Sequence, residues 1–273
     1  MIGYMRDKGA LLAFNIWDVN SAKSVIDTAI VKQRNIILQT SSNIYEKLDK
    51  KTFRQFLSAY VTDKEIEVWL HLDHCRNIEQ IKDAIDMGWD SVMIDASELP
   101  LEENIDITNR ISEYAHKRGV LVEAEIGRIK GVEDEIVNTS EEIAKYEDIK
   151  KFLEETNVDM IAVAFGNAHG VYKGTPNLHY EIVEYVKRIS DIPFVVHGGS
   201  GLDEKVLQEL IQIGNVKKIN ISTEVKLAYR EGMLKAYQEG LLDEKGFQPI
   251  KVEQMIQKFI SDMVCAKLQI LEN

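Results

Sequence analysis

Short apolar runs alternate along this chain with longer segments whose apolar residues recur at helical spacing. The runs fall at residues 11–15, 35–39, 67–73, 91–95, 120–125, 160–165, 194–197 and 217–221. They are mostly β-branched or otherwise apolar, as buried parallel strands are. Between them, Ile78, Ile81, Ala84 and Ile85 mark one helical stripe, and Val206, Leu207, Leu210 and Ile211 another. Eight such alternations predict an α/β fold, a (β/α)8 TIM barrel rather than an open sheet. Val252, Met255, Ile256, Phe259, Ile260 and Met263 keep the helical period beyond the last unit, which predicts an extra C-terminal helix within 247–271. Residues 128–139 are polar and acidic and fit neither pattern. A loop of that length in a compact barrel is usually functional, often a lid. The stretch before Leu11 is short and leaves little chain to plug the bottom of the barrel.

The chain has 273 residues. A barrel of this kind takes about 250 residues, so the expectation is one domain over 1–273, its catalytic core at 11–229. A net charge of −12 argues against nucleic acid or an anionic membrane as partner. It leaves room for an anionic small substrate, because a site can be locally basic on an acidic protein. Cys75 and Cys265 are far apart and form no CxxC pair. That composition reads as a reduced, cytoplasmic chain without a disulfide framework. The first residues lack the apolar core of a signal peptide, and no apolar run is long enough to span a bilayer.

In such barrels the active site lies at the C-terminal ends of the strands. Sorting polar residues by that rule gathers Asp73-His74, Asp95, Glu123 and Glu125, His169-Gly170 with Lys173 beyond, His197-Gly-Gly-Ser200, and Asn220-Ile-Ser-Thr223. His74, His169 and His197 each stand where an apolar run breaks into a turn. Three histidines from distant segments match the ligand count of a catalytic zinc with one position open. Any one alone reads as a barrel-mouth histidine bonded to backbone; the three together favour ligation. Asp73 and His74 are neighbours, so in an ideal strand they face opposite ways, and ligation by His74 requires the chain to turn there. His71 reads as a core histidine, and His116 and His179 as solvated helix residues. Asp95, Glu123 and Glu125 either orient the histidines or are structural carboxylates paired with lysine or arginine. Barrels commonly bind phosphate with the loops after strands seven and eight. Here these are 198–201 and 220–223, and the second opens a helix whose N–H groups favour an anion.

The motifs His71-Leu-Asp-His-Cys75, Ser91-Val-Met-Ile-Asp-Ala-Ser97, Val122-Glu-Ala-Glu-Ile-Gly127, Phe165-Gly-Asn-Ala-His-Gly-Val-Tyr-Lys173, His197-Gly-Gly-Ser-Gly-Leu202 and Lys218-Ile-Asn-Ile-Ser-Thr223 together resemble the class II, zinc-dependent fructose-bisphosphate/tagatose-bisphosphate aldolases. The resemblance runs from Ala13-Phe-Asn15 to about Tyr229. It implies zinc on His74, His169 and His197, with Asp95 and Glu125 as orienting carboxylates or an alternate metal position. It implies Asp73 as proton donor and acceptor at the aldehyde oxygen. Glu133, in the unassigned segment, matches the mobile glutamate that takes the proton from dihydroxyacetone phosphate. For one phosphate it implies Gly170, Lys173, Gly198, Gly199, Ser200, Asn220, Ile221, Ser222 and Thr223, and it places Ser41 near the other end of the substrate. A monovalent cation, sodium or potassium, is implied beside the phosphate. The physics agrees: retro-aldol cleavage leaves an enediolate whose charge a Lewis acid stabilises, and a base delivered by a lid works with water excluded.

The expected activity is therefore reversible cleavage of a ketose 1,6-bisphosphate to dihydroxyacetone phosphate and glyceraldehyde 3-phosphate, a step of glycolysis and carbohydrate metabolism. Cys75 and Asn167 resemble the fructose-specific branch, whereas chain length and His197-Gly-Gly-Ser200 sit with the branch that includes tagatose enzymes. The sugar stays open between them, and another phosphorylated sugar is an alternative. A Schiff-base aldolase needs a desolvated lysine, and strand six offers none. A non-catalytic sugar-phosphate binder or assembly subunit remains the reading from another class, since fold alone does not exclude it. The C-terminal helix suggests a homodimer or homotetramer, unless it packs on its own barrel.

Overall fold

The computed structural model describes residues 1–133, 136–138, 142–170, 172, 174 and 176–272. In chain order the strands are β1 (Leu11–Asn15), β2 (Ile36–Ser41), β3 (Val68–Cys75), β4 (Ser91–Ile94), β5 (Leu121–Ile126), β6 (Lys130–Glu133), β7 (Ile136–Asn138), β8 (Met160–Val163), β9 (Ala168–His169), β10 (Phe194–Val196) and β11 (Val216–Ile221). Eight of them close a barrel in the order β1-β11-β10-β8-β5-β4-β3-β2, every pair parallel. The expected (β/α)8 architecture and C-terminal helix are both present.

The period of two in the strands builds two apolar layers. Leu12 and Phe14, Leu70 and Leu72, Val122 and Ala124, and Ile219 and Ile221 join the large cluster beneath the helices. Leu11, Ala13, Ile37, Met160, Ala162 and Val195 face inward and pack together at the bottom of the barrel. Above them the inward positions turn polar. Gln39 pairs with His71 and Ser41 with Asp73 across β2 and β3. Ala13 pairs with Asn220 across β1 and β11, and Glu125 with Ala162 across β5 and β8. The interior is therefore an apolar plug below and an ionisable layer above, opening at the C-terminal ends of the strands.

Two expectations are corrected. The stretch before Leu11 does plug the barrel: the helix Ile2–Asp7 buries Met5 completely against the inner cluster. Six residues are too few to show a helical stripe, but one apolar side chain suffices to cover the opening. The unassigned segment after β5 is a hairpin, β6 antiparallel to β7, anchored by a bridge from Arg128 to Glu142. The β6 strand also pairs in parallel with β9, setting Gly131 opposite His169.

The C-terminal helix, Pro249–Leu268, buries Ile256, Ile260, Val264 and Leu268. It packs on helices Thr223–Gln238 and Val19–Lys32 of its own chain, so its apolar stripe is used internally. Among the described residues no helix is long and apolar enough to cross a membrane.

Candidate active site

His74, His169 and His197 converge at the barrel mouth, their ligating atoms all within 4.8 Å of one another. The ring centroids of His74 and His197 are 4.5 Å apart, and those of His74 and His169 are 4.9 Å apart. The neighbour problem at Asp73 and His74 is solved inside β3. His74 takes a left-handed backbone, φ 44°, and the β3–β4 register shifts between Leu72 and Cys75. Such a bulge re-aims a side chain without ending the strand. Left-handed backbone at a non-glycine residue is costly, and such strain gathers at functional sites.

Each of two histidines gives one nitrogen to a carboxylate and turns the other to the shared space. His197 Nε2 lies 2.8 Å from Glu123 Oε1, and His74 Nδ1 lies 3.4 Å from Asp95 Oδ2. His197 Nδ1 and His74 Nε2 then face each other at 2.7 Å. Carboxylates accept, so the partners assign Nε2–H to His197 and Nδ1–H to His74. The facing nitrogens of His197 and His74 share a hydrogen bond at 2.7 Å, and a cation held by both would take the place of the shared proton. With His169 alongside, the donor set fits a zinc ion with carboxylate-oriented imidazoles.

Two of the carboxylates are pushed apart in acidity. Burial works to raise Asp95, but the hydrogen bond and charge of His74, with Ser97 and Arg76, outweigh it and hold Asp95 well below the usual range. Burial, reinforced by the Asp95 charge, pushes Glu125 up to about 8. For Glu123, burial is outweighed by Lys218, His71 and His197, and its carboxyl lies far below the ordinary value. The second cluster with metal-ligand spacing is His74, Asp95 and Glu125, sharing His74 with the first.

Asp73 is buried beside the histidines and held from two sides. Gln39 Nε2 donates to its Oδ2 at 3.1 Å, and Asn220 Nδ2 to its Oδ1 at 3.1 Å. Gln39 also donates to Asn15 Oδ1 at 2.6 Å. Beyond Asn15 lies a cavity of about 260 Å³ lined by Ile16, Trp17, Ser41, Lys226 and Tyr229. Ser41 Oγ is buried there without a hydrogen-bond partner among the described residues. Gln39 and Asn15 were missed as site residues by sequence reasoning. The signal was available: each is an inward-facing polar residue at the C-terminal end of an apolar strand.

The loops after β10 and β11 interlock. Gly198 has φ 67°, and a Cβ there would lie 2.0 Å from Ala168 O, so only glycine fits. Ser200 Oγ accepts from the backbone N–H of Ser222 at 3.1 Å and of Glu224 at 3.3 Å. Two of the N–H groups expected to meet an anion thus already serve Ser200. Ser222 Oγ is buried without a partner among the described residues. Gly199, Asn220, Ile221 and Thr223 lie in the same pair of loops. Gly170 follows His169 with φ 91°. Tyr172, unforeseen from sequence, accepts from Ala168 N at 2.9 Å and donates to Gly198 O at 3.3 Å, tying β9 to the glycine loop. Lys173 lies outside the described residues. The backbone of Glu133 ends β6, and its side chain lies outside what is described.

His71 is a core histidine, with Nδ1 2.8 Å from Ser91 Oγ. Lys218 departs from the sequence reading, which looked for an interior lysine only on strand six. It is fully buried inside the barrel on β11, and its Nζ donates to Glu123 Oε2 at 2.8 Å.

The sequence matches the family described as fructose-bisphosphate aldolase class-II over residues 4–273. The 6-phospho-5-dehydro-2-deoxy-D-gluconate aldolase of Bacillus subtilis (strain 168) is 36% identical over 266 residues, covering 94% of this chain and 90% of that protein. The fructose-bisphosphate aldolase of Geobacillus stearothermophilus is 36% identical over 232 residues, covering 84% and 80%. Among solved structures, the YdjI aldolase of Escherichia coli K12 superposes with a TM-score of 0.83 at 25% identity, covering 98% of this chain and 93% of that one. The chain belongs to the class II fructose-bisphosphate aldolase family and is accordingly an aldolase, a carbon–carbon lyase.

Proposed function

We propose that this aldolase is zinc-dependent and reversibly cleaves a ketose 1,6-bisphosphate, fructose or tagatose, releasing dihydroxyacetone phosphate. The observation that carries the reading is the convergence of three histidines beside Asp73, two of them carboxylate-oriented imidazoles whose other nitrogens face each other at 2.7 Å. His74, His169 and His197 would hold the ion, which when bound supplies a Lewis acid for the charge that develops on the substrate oxygens. Asp73, aimed by Gln39 and Asn220, gives its proton to the aldehyde oxygen in the synthetic direction and takes it back in cleavage. Glu133 is assigned the proton at the carbon of dihydroxyacetone phosphate, with the hairpin excluding water. The loops holding Gly198, Gly199, Ser200, Asn220, Ile221, Ser222 and Thr223, with Gly170 and Lys173, take that product's phosphate.

A second substrate is favoured by the name of the B. subtilis relative. Retro-aldol cleavage of 6-phospho-5-dehydro-2-deoxy-D-gluconate also yields dihydroxyacetone phosphate. The other product is then a three-carbon aldehyde ending in a carboxylate rather than a phosphate. The cavity beside Asn15, with Ser41 and Lys226 in its lining, is where the two aldehydes would be told apart.

The test is cleavage of fructose 1,6-bisphosphate, tagatose 1,6-bisphosphate and 6-phospho-5-dehydro-2-deoxy-D-gluconate, each with chelator and with zinc added back. Activity lost to chelator and restored by zinc is expected, and the largest kcat/KM names the substrate. Chelator-insensitive cleavage would remove the histidines from the metal role. A homodimer or homotetramer in the cytoplasm belongs to the same reading. Tyr237 and Ile250, 70% and 72% exposed, offer apolar surface for such contacts, and light scattering would give the stoichiometry.

A further inference from the structure

We infer that Lys218 and Glu123 form a buried positioning pair that fixes the tautomer and direction of His197. The inference rests on the metal reading of the three histidines.

Lys218 stands one inward position below Asn220 on β11, sealed from solvent. An apolar residue there would continue the plug formed by Leu11, Met160 and Val195. Replacing a buried ion pair by apolar side chains is often neutral or stabilising, so stability alone does not account for this one. The other oxygen of the carboxylate does. Glu123 Oε2 receives the Lys218 ammonium at 2.8 Å, while Oε1 receives His197 Nε2 at 2.8 Å.

An ammonium only donates, so Glu123 is an acceptor at both oxygens. His197 must then carry a proton on Nε2, which turns Nδ1 toward His74 Nε2, 2.7 Å away, and the other ligand His169. A neutral glutamic acid in the same place could donate to Nε2 and move the ring proton to Nδ1, the nitrogen that faces the other ligands. Lys218 removes that alternative. It also pins the carboxylate so that it cannot swing from the histidine.

The holder of His74 differs. Asp95 sits 3.4 Å from the ring and is shared with Ser97 at 2.7 Å and Arg76 at 3.3 Å at the rim. The floor pair therefore sets the better-defined ligand. Neither residue touches the reacting atoms; both act through His197.

Zinc affinity of the full chain, by competition with a chromophoric chelator, reads this directly. Imidazole proton–nitrogen correlation spectra of the metal-free protein read the tautomer. Lys218→Met and Glu123→Gln should each weaken zinc binding by roughly 10–100-fold, the range for lost partners of metal ligands, and lower kcat while KM holds. The double variant should bind zinc no more weakly than Glu123→Gln alone, because the lysine acts through the glutamate. Parental affinity in the single variants, or losses that add, would overturn the inference. So would a lower melting temperature at parental affinity, which marks a structural pair, or His197 protonated on Nδ1 in the parent. Should Lys218→Met fail to fold, Lys218→Gln stands in, with the same loss expected and the same overturning result. If the parent itself binds no zinc, the metal reading falls and this inference with it. A zinc-binding parent with unaffected variants sinks the pair alone.

Discussion

The floor of the site, above the apolar plug, and the hairpin over it carry the two proton-handling residues of the proposed reaction, and they hold them in unlike ways. Asp73 is fully buried on a barrel strand and fixed by two amide donors, Gln39 from the adjacent β2 and Asn220 from β11 further round the barrel. Glu133 ends a four-residue strand whose ties to the barrel include two register pairs with β9 and one bridge at its base. A proton donor that must meet one oxygen in one place gains from a rigid mount. A base that must admit substrate and then exclude water gains from a mount that can open. The two regions meet at His169, which belongs to the histidine cluster and to the hairpin's sheet at once.

The largest effect expected lies on the floor. Asp73→Asn keeps the shape, with the Asn220 amide turning its unpaired Oδ1 to the new NH2, but cannot carry the proton. General acid–base groups contribute roughly 10²–10⁴-fold, and a fall in kcat of that order is expected. The melting temperature should stay close to the parent's. A loss below tenfold would show that the rigid mount serves packing and not proton transfer.

The hairpin side breaks at Gly131. Its φ is 127°, and a Cβ would lie 2.3 Å from His169 O and 2.7 Å from His169 N. Gly131→Ala must push β6 off β9. Misplacing a catalytic group by about 1 Å costs on the order of 10²-fold, the fall in kcat expected here. Zinc affinity should drop as well, because the disturbed strand carries His169. If kcat moves and zinc binding does not, the hairpin and the metal cluster are separate after all.

The two regions were unequally legible in the sequence. The barrel strands read easily because their outward faces are unbroken apolar residues, and the three histidines stood out where those runs end. The floor network was written in the same strands as alternation: His71-Leu-Asp73, Glu123-Ala-Glu125 and Lys218-Ile-Asn220 each place polar residues on one face. Treating such runs simply as buried strands hid Lys218, Gln39 and Asn15 as members of the site. The turn at His74 has no comparable signal, since a left-handed histidine is imposed by the shifted register around it and not by its own preference. The hairpin escaped because its strands are only four and three residues long, and a pairing partner two residues long, Ala168–His169, leaves no periodicity to read.

The smallest effect concerns Glu125, at the end of β5 where floor gives way to hairpin. Burial, then the charge of Asp95, pushes its carboxyl from the ordinary glutamate range up to about 8. At neutral pH the metal-free pair of Asp95 and Glu125 therefore keeps one proton, on Glu125. Because the folded state holds a proton that the unfolded chain has lost, this group's contribution to stability is complete below the unfolded value. It is lost as pH rises through that window to the folded value. Glu125→Gln keeps the shape and removes the titration. In metal-free protein the melting temperature of the variant should gain on the parent's as pH is raised from about 5 and level off above about 8. Chelator-treated parent and variant, melted side by side across that range, check it. A difference flat with pH would mean that Glu125 is already ionised in the folded metal-free chain. The hairpin end of β5 would then hold two adjacent anions, and the contrast with the charge-balanced floor at Glu123 and Lys218 would be sharper still.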